Sequence, residues 1–357
     1  MTAQIKPRGL LPIRLSDFPP GTVPLGSRIQ NDEQEDLFVA EEVFATHMAI
    51  YGGTGQGKSK FLENVLRFLL LNRSGFCLID PHGDLAEDIL AFIDRWGHHL
   101  ALPLRRNLFY LEPGHEQYSF SFDPFEYRDT DDDYRVWLHQ KVHWAAKAII
   151  RMQGEPDFQG MNRLERWIKN VLTAVAVRVD DKGTHLPLAD ALFLLDPRNP
   201  RFPSVFDRIA PLLPPEVRAN FEALRRPSNR KVLEEIESTE NRLRSFLTPR
   251  VQAVFSRQAP SLNLRHVVRA GGVLIVNLKG LVPEEANALG GVIINDLFAT
   301  VSQIPKPDRR RFYLFVDEAT RFVGDDLVKG FGEARKWLLS IVSRSKTCLR
   351  SAIRTLT

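Results

Sequence analysis

Two cysteines, Cys77 and Cys348, are all that 357 residues offer, and Cys77 falls inside an apolar run. That is too few for a disulfide framework, and a reducing cytoplasm fits. Long apolar runs are missing as well. No stretch approaches the ~18 uncharged residues of a membrane-spanning helix, and the longest candidates, Val65–Leu71 and Val171–Val177, are short. The opening Met1-Thr2-Ala3-Gln4-Ile5-Lys6-Pro7-Arg8 lacks the apolar centre of a signal peptide. There are no internal repeats, no low-complexity tract, no His/Cys ligand cluster, no nucleophile elbow and no dinucleotide fingerprint. Acidic residues vanish after Glu333, where Arg335, Lys336, Arg344, Lys346, Arg350 and Arg354 remain. These absences exclude a disulfide scaffold, a repeat array and an intrinsic membrane segment.

What remains is an ordinary globular composition, 43% hydrophobic and 26% charged, long enough for one large or two medium domains. A net charge of +4 leans weakly toward polyanionic partners. Two further basic clusters stand out, Lys306 with Arg309-Arg310-Arg311 and Arg225-Arg226 with Arg230-Lys231. Each alone reads more readily as solvated surface than as a nucleic-acid contact.

Residues 1–36 are predicted to be irregular, because Pro7, Pro12, Pro19-Pro20 and Pro24 forbid a long helix. Strand-like runs then alternate with helices: a strand at 46–51, a helix from Phe61, strands at 76–79 and 107–111, and a helix over 85–96. That alternation predicts a mainly parallel sheet covered on both faces. From about 131 to 249 the pattern turns helical. Leu164, Trp167, Ile168, Val171, Leu172 and Val175 form an apolar stripe best read as core. Strand signals return at 272–278, at 312–316 and from Leu339, with a long helix over 284–302 and another over 327–338. The expected architecture is α/β: a discontinuous sheet domain (37–130 and 250–342) interrupted by an all-helical insertion (131–249), then a basic tail (343–357).

The most specific signal is Gly52-Gly53-Thr54-Gly55-Gln56-Gly57-Lys58-Ser59, with the spacing G-x-x-x-x-G-K-[ST]. Glycines let backbone N–H groups crowd around phosphates, a lysine supplies a point charge for the β/γ oxygens, and the serine hydroxyl suits Mg2+. An apolar strand precedes the loop and a helix beginning near Lys60 follows, so the helix N-terminus faces the anion. The second signal is Phe312-Tyr313-Leu314-Phe315-Val316-Asp317-Glu318, an apolar strand ending in paired carboxylates. Opposite a phosphate loop, Asp317 suits the metal and Glu318 suits activation of the attacking water. Asp80 ends the strand after the P-loop helix, where α/β sheets place their ligands; it reads equally as a turn residue before Pro81. His82 can titrate near neutral pH, although a lone turn histidine is more commonly exposed and passive. Arg335 reads as a basic residue near a helix C-terminus or as an arginine that stabilises transition-state charge.

Four segments in order carry a resemblance: Gly52–Ser59, Ile79-Asp80-Pro81-His82-Gly83-Asp84-Leu85, Tyr313–Glu318 and Glu333-Ala334-Arg335-Lys336-Trp337. Together they resemble the HerA–FtsK class of P-loop ATPases, and within it the TraG/TraD-type coupling ATPases of conjugative DNA transfer and type IV secretion. The resemblance covers about residues 40–343. It implies a RecA-like P-loop NTPase fold, ATP and Mg2+ as ligands, DNA as substrate and a hexameric ring. It also implies relaxase or secretion-channel partners, and a cytoplasmic location at the inner membrane through those partners. On that footing Gly52 through Lys60 and Asp80 bind nucleotide, Ser59 and Asp317 hold the metal, and Lys58, Glu318 and Arg335 serve catalysis. Two departures qualify it. Many coupling proteins begin with membrane helices, which this sequence lacks. Past Val342 the class pattern runs on to a phosphate-sensing glutamine, whereas here the chain reads Ser343-Arg344-Ser345. Those codons, read one base later, can give Leu-Ala-Gln, so a frameshift near Val342 with loss of the last strand is the expectation. Three readings stay open: a DNA-translocating ATPase, an ATP-binding switch or assembly protein, and an inactive truncated remnant.

Overall fold

The computed structural model describes residues 19–30, 33–97, 106–115, 121–126, 133–152, 162–180, 184–226, 230–255, 261–322 and 332–345. Two compact units divide the chain. The first comprises Met1–Tyr110, Arg265–Asn277 and Ile304–Thr357, and the second Leu111–Leu264 and Leu278–Gln303.

In chain order, β1 (Thr22–Gln30) and β2 (Glu33–Ala40) form an antiparallel hairpin that leads into one helical turn, α1 (Glu41–Phe44). Next come β3 (Met48–Tyr51), α2 (Lys58–Leu71), β4 (Gly75–Asp80), α3 (Asp84–Trp96) and β5 (Leu108–Leu111). The second unit opens with β6 (Ser121–Phe122), α4 (Tyr134–Arg151) and α5 (Asn162–Ala176). It continues through α6 (Ala191–Leu194), α7 (Phe202–Ile209), α8 (Pro215–Arg225), α9 (Arg230–Phe246), α10 (Pro249–Val254) and β7 (Ser261–Leu262). Then follow α11 (Leu264–Ala270), β8 (Val273–Asn277), α12 (Pro283–Gln303), β9 (Phe312–Val316) and β10 (Leu339–Ser345).

The main sheet has the order β3-β10-β9-β4-β8-β5, and the ladders β3–β10, β10–β9, β9–β4 and β4–β8 are parallel. Strands β4, β8 and β9 are buried at every residue. That is why they read as unbroken apolar runs rather than alternating ones. Edge strand β3 alternates in burial and is only four residues long. Leu62, Val65, Leu66, Phe76, Leu78 and Phe315 are fully buried together where α2 packs on the sheet; each such side chain contributes roughly 1.5–3 kcal/mol by leaving water. Gly75 at the start of β4 is obligatory, since a Cβ there would lie 2.8 Å from the Gly271 carbonyl carbon.

The described residues of the second unit are mainly helical, and α12 packs with it. Helix α12 is buried along almost its whole length and lies against α4, with Gly291 facing Ala148. A helix apolar all round carries no mark of which neighbour it will choose. Its sequence position beside β8 grouped it with the sheet.

Two further expectations change. Residues 22–30 are strand, not irregular chain: Pro24 sits at the bulge between Pro24 and Gly26, where a hairpin tolerates a missing N–H. And β10 does not stop at Val342; it runs through Ser345, paired with β3 on one side and β9 on the other. Of the helix expected over 327–338, residues 327–331 lie outside the described residues, and the rest ends as the tight turn Arg335–Trp337.

Candidate active site

Four neighbouring parallel strands, β3, β10, β9 and β4, bring the chemistry to one end of the sheet. The glycine loop follows β3, Arg344 is the penultimate residue of β10, Asp317 and Glu318 follow β9, and Asp80 ends β4. Strands β3 and β9 are two spacings apart, about 10 Å.

Gly55 and Gly57 have φ of +79° and +76°, a left-handed backbone open to glycine at no steric cost. Gly57 is also the N-cap of α2, which has no side-chain cap and no carboxylate in its first turn. The N-terminus of α2 is therefore left for an anion. Lys58 Nζ donates to the carbonyl oxygen of Gly52 at 2.5 Å and to that of Gly53. The side chain thus lies folded across its own loop. Thr54 and Gln56 are exposed in the loop.

Across the sheet end, the Asp317 N–H donates to the Ile79 carbonyl at 3.0 Å, extending the β9–β4 ladder by one residue. The buried carboxylate accepts from the Glu318 N–H at 2.9 Å and pairs with Arg344 Nε. Burial pushes the Asp317 carboxyl up to about 6; Arg344 opposes that shift and the nearby Asp80 adds to it. Arg344 Nη1 also donates to Ser59 Oγ, so one guanidinium joins the phosphate loop to the acid pair. Glu318 leaves β9 in a left-handed conformation, φ +49°. Its Oε2 lies 2.7 Å from Arg321 Nε and 3.0 Å from His82 Nε2.

The structure brings Lys58, Ser59, Asp317, Glu318 and Asp80 to this end. Asp80 is committed locally: Oδ1 accepts from the His82 N–H at 3.0 Å and Oδ2 from the Ala86 N–H at 2.9 Å, which closes the turn into α3. The Lys60 side chain points elsewhere, to Glu63 and Asp88 at 2.7 Å each, carboxylates on α2 and α3 that pair with its charge. Arg335 does not join the site of its own chain. It is exposed before the start of β10, and the seven residues of β10 put about 20 Å between it and the loop. Sequence reasoning missed Arg344, Arg321 and the engagement of His82. For Arg344 the signal was continuation of the strand beyond Val342.

A glycine loop between a parallel strand and its helix, facing an acid pair two strands away, defines a P-loop NTPase fold. Residues 23–89 match the family model of the helicase HerA central domain. The bacterial conjugative coupling protein TrwB in complex with the non-hydrolysable ATP analogue ADPNP superposes with a TM-score of 0.60 at 18% identity. That alignment covers 85% of this chain and 65% of that chain. TrwB in complex with ADP and Mg2+ gives a TM-score of 0.57 at 16% identity, covering 86% of this chain and 65% of that one. An uncharacterised protein of Aquifex aeolicus (strain VF5) is 35% identical over 75 residues, 20% of this chain and 28% of that protein. The chain therefore spans less than two thirds of each of these matched chains. The matched segment is that of the HerA central domain, and the fold shared with TrwB is that of a P-loop NTPase. No described helix is long and apolar enough to cross a membrane.

Proposed function

We propose that this chain binds ATP with Mg2+ at the loop 52–59, hydrolyses it, and uses the cycle to move DNA as part of a ring of identical copies. The observation that carries the reading is the juxtaposition of Ser59 and Asp317, held to one guanidinium at the end of the sheet. A hydroxyl and a carboxylate converging on one cation are the hard-oxygen donors that Mg2+ accepts, with waters and phosphate oxygens completing its shell. Bound there, Mg2+ would neutralise charge on the β- and γ-phosphates.

The chain's own residues do the rest. Lys58 exchanges its two carbonyl partners for β/γ oxygens. Glu318 orients the attacking water and takes its proton as the β–γ bond breaks, with ADP leaving. His82 and Arg321 hold the Glu318 carboxylate in position. Asp80 fixes the turn beside it. Arg335, distant from its own loop, can stabilise charge only on a neighbouring copy's nucleotide, which agrees with a ring. DNA as the moved substrate, a relaxase or secretion channel as partner, and attachment at the inner membrane through such partners rest on the likeness to coupling proteins.

The test is ATPase activity of the purified chain with and without single- and double-stranded DNA. DNA-stimulated turnover that is abolished by Lys58→Ala supports the motor. Binding without turnover supports the second reading, a nucleotide-dependent switch.

A further inference from the structure

Strands β3, β10, β9, β4 and β8 run parallel, so their sheet has two unlike ends. The loop 52–59 and the acid pair stand where the strands end. A different surface covers the strand starts. Lys306 and Arg310 before β9, and Arg335 and Lys336 before β10, are exposed there. Against them stand Glu42, Glu333 and an Asp308 paired with Arg269 at 2.6 Å. At this end Leu338 is 40% exposed and Val43 58%, and Trp337 is half-buried. An exposed aliphatic side chain is ordinary by itself. The backbone under Leu338 is not. It is left-handed, φ +59° and ψ +27°, and closes its turn by donating the Leu338 N–H to the Arg335 carbonyl at 3.1 Å. Glycine is the usual residue of such a cap, because it has no Cβ to clash. The turn is also held firmly. The Leu338 carbonyl accepts from the Phe312 N–H at 3.0 Å, and the Lys336 carbonyl from Arg309 Nη1 at 2.9 Å. A strained backbone on a fixed platform thus presents an apolar side chain among cations.

We propose that this strand-start face, with Leu338 as its apolar anchor, is where a second copy of the chain docks its strand-end face. This rests on the reading that copies assemble around a bound triphosphate. Charge supports that occupant. The strand-end face shows Asp84 and Glu87, exposed in the first turn of α3, and the triphosphate once it is bound. Opposite signs therefore meet when copies stack head to tail. Such a contact joins two different patches of one chain, and it closes into a ring when its rotation permits. It also carries Arg335, on the same turn as Leu338, toward the neighbour's nucleotide. A DNA backbone would use the cations but not the anchor, since phosphates are held by charge and hydrogen bonds.

The test is sedimentation velocity of the full chain over a concentration series, with Mg2+ and a non-hydrolysable ATP analogue, beside calorimetry of analogue binding. The wild type should assemble. Leu338→Gly relieves the backbone while deleting the anchor. It should melt no lower than the wild type, yet raise the self-dissociation constant about tenfold or more. Leu338→Met, which keeps an apolar side chain, should stay within about threefold of the wild type. Arg310→Glu should weaken assembly, and more at low salt than at high salt. It serves in place of the glycine variant if thermal melting shows that one destabilised. A wild type that stays monomeric, or glycine and glutamate variants that assemble as it does, would overturn the inference. Variants that lose only affinity for a single- or double-stranded oligonucleotide would assign the face to DNA and overturn it equally. Assembly that depends on Leu338 with no analogue bound would sustain the docking face and sink the nucleotide reading instead.

Discussion

Each unit of this protein brings together the same trio: a cation, a buried aspartate and a hydroxyl. In the helical unit Lys141 pairs with Asp296, and its Nζ lies 3.4 Å from Thr300 Oγ1. In the sheet unit Arg344 pairs with Asp317 and Ser59. Burial raises both aspartates above the ordinary carboxylate range, and the paired cation opposes the shift in both. Surroundings separate the two. The Lys141 set lies on α4 and α12 in mid-helix, with every member serving another member. The Arg344 set stands where strands end, beside a loop of left-handed glycines and a helix N-terminus with no cap. On the proposed function, the same chemistry is cement in one place and a ligand seat in the other. The decision lies with the neighbours' unsatisfied groups, not with the trio itself.

Breaking one partner of each trio should separate them most sharply. Lys141→Met leaves a buried carboxylate alone and should cost about 3–5 kcal/mol in denaturant unfolding, with nucleotide affinity of the surviving fold unchanged. Replacing both, Lys141→Leu with Asp296→Leu, should recover most of that loss, since apolar pairs of similar volume substitute well for buried ion pairs.

The second effect is a pH slope. Asp317 holds its proton more tightly folded, at about 6, than unfolded, at the ordinary 3.8. The native state therefore binds the extra proton between those values, and stability falls as pH rises through that window, by at most ~3 kcal/mol. Asp296 pulls in the same direction. Asp317→Asn should remove its own share of the slope in unfolding measured between pH 4 and 7, leaving the Asp296 share.

The smallest effect concerns helix starts. The N-cap of α4 is Asp133, whose carboxylate accepts from the Arg135 N–H at 2.8 Å, whereas α2 begins at Gly57 with no side-chain cap. Asp133→Ala should cost about 1 kcal/mol in thermal unfolding, since that helix has no anion to serve as its cap.

The sequence makes the site's two walls legible because each is a local pattern: eight residues of loop, and seven of apolar strand ending in acids. It hides what joins them. Arg344 and Ser59 are 285 residues apart in the chain, and they meet only because β10 inserts between β3 and β9, an order no spacing records. His82 likewise becomes a partner of Glu318 through the β4–β9 pairing, whereas Arg321 reaches it locally from three residues on. Proline content misleads at 22–30, where Pro24 occupies a bulge instead of preventing a strand. Lys60 belongs to the loop by position and to Glu63 and Asp88 by charge, and the charge governs its side chain.

On the proposed function, the loop 52–59 and the pair Asp317–Glu318 grip opposite sides of one triphosphate. Single-turnover hydrolysis of bound ATP by Glu318→Gln tests it most directly. If the claim holds, the variant binds ATP as well as the wild type and retains it uncleaved, while wild-type protein converts it to ADP. Cleavage by the variant at the wild-type rate would contradict it.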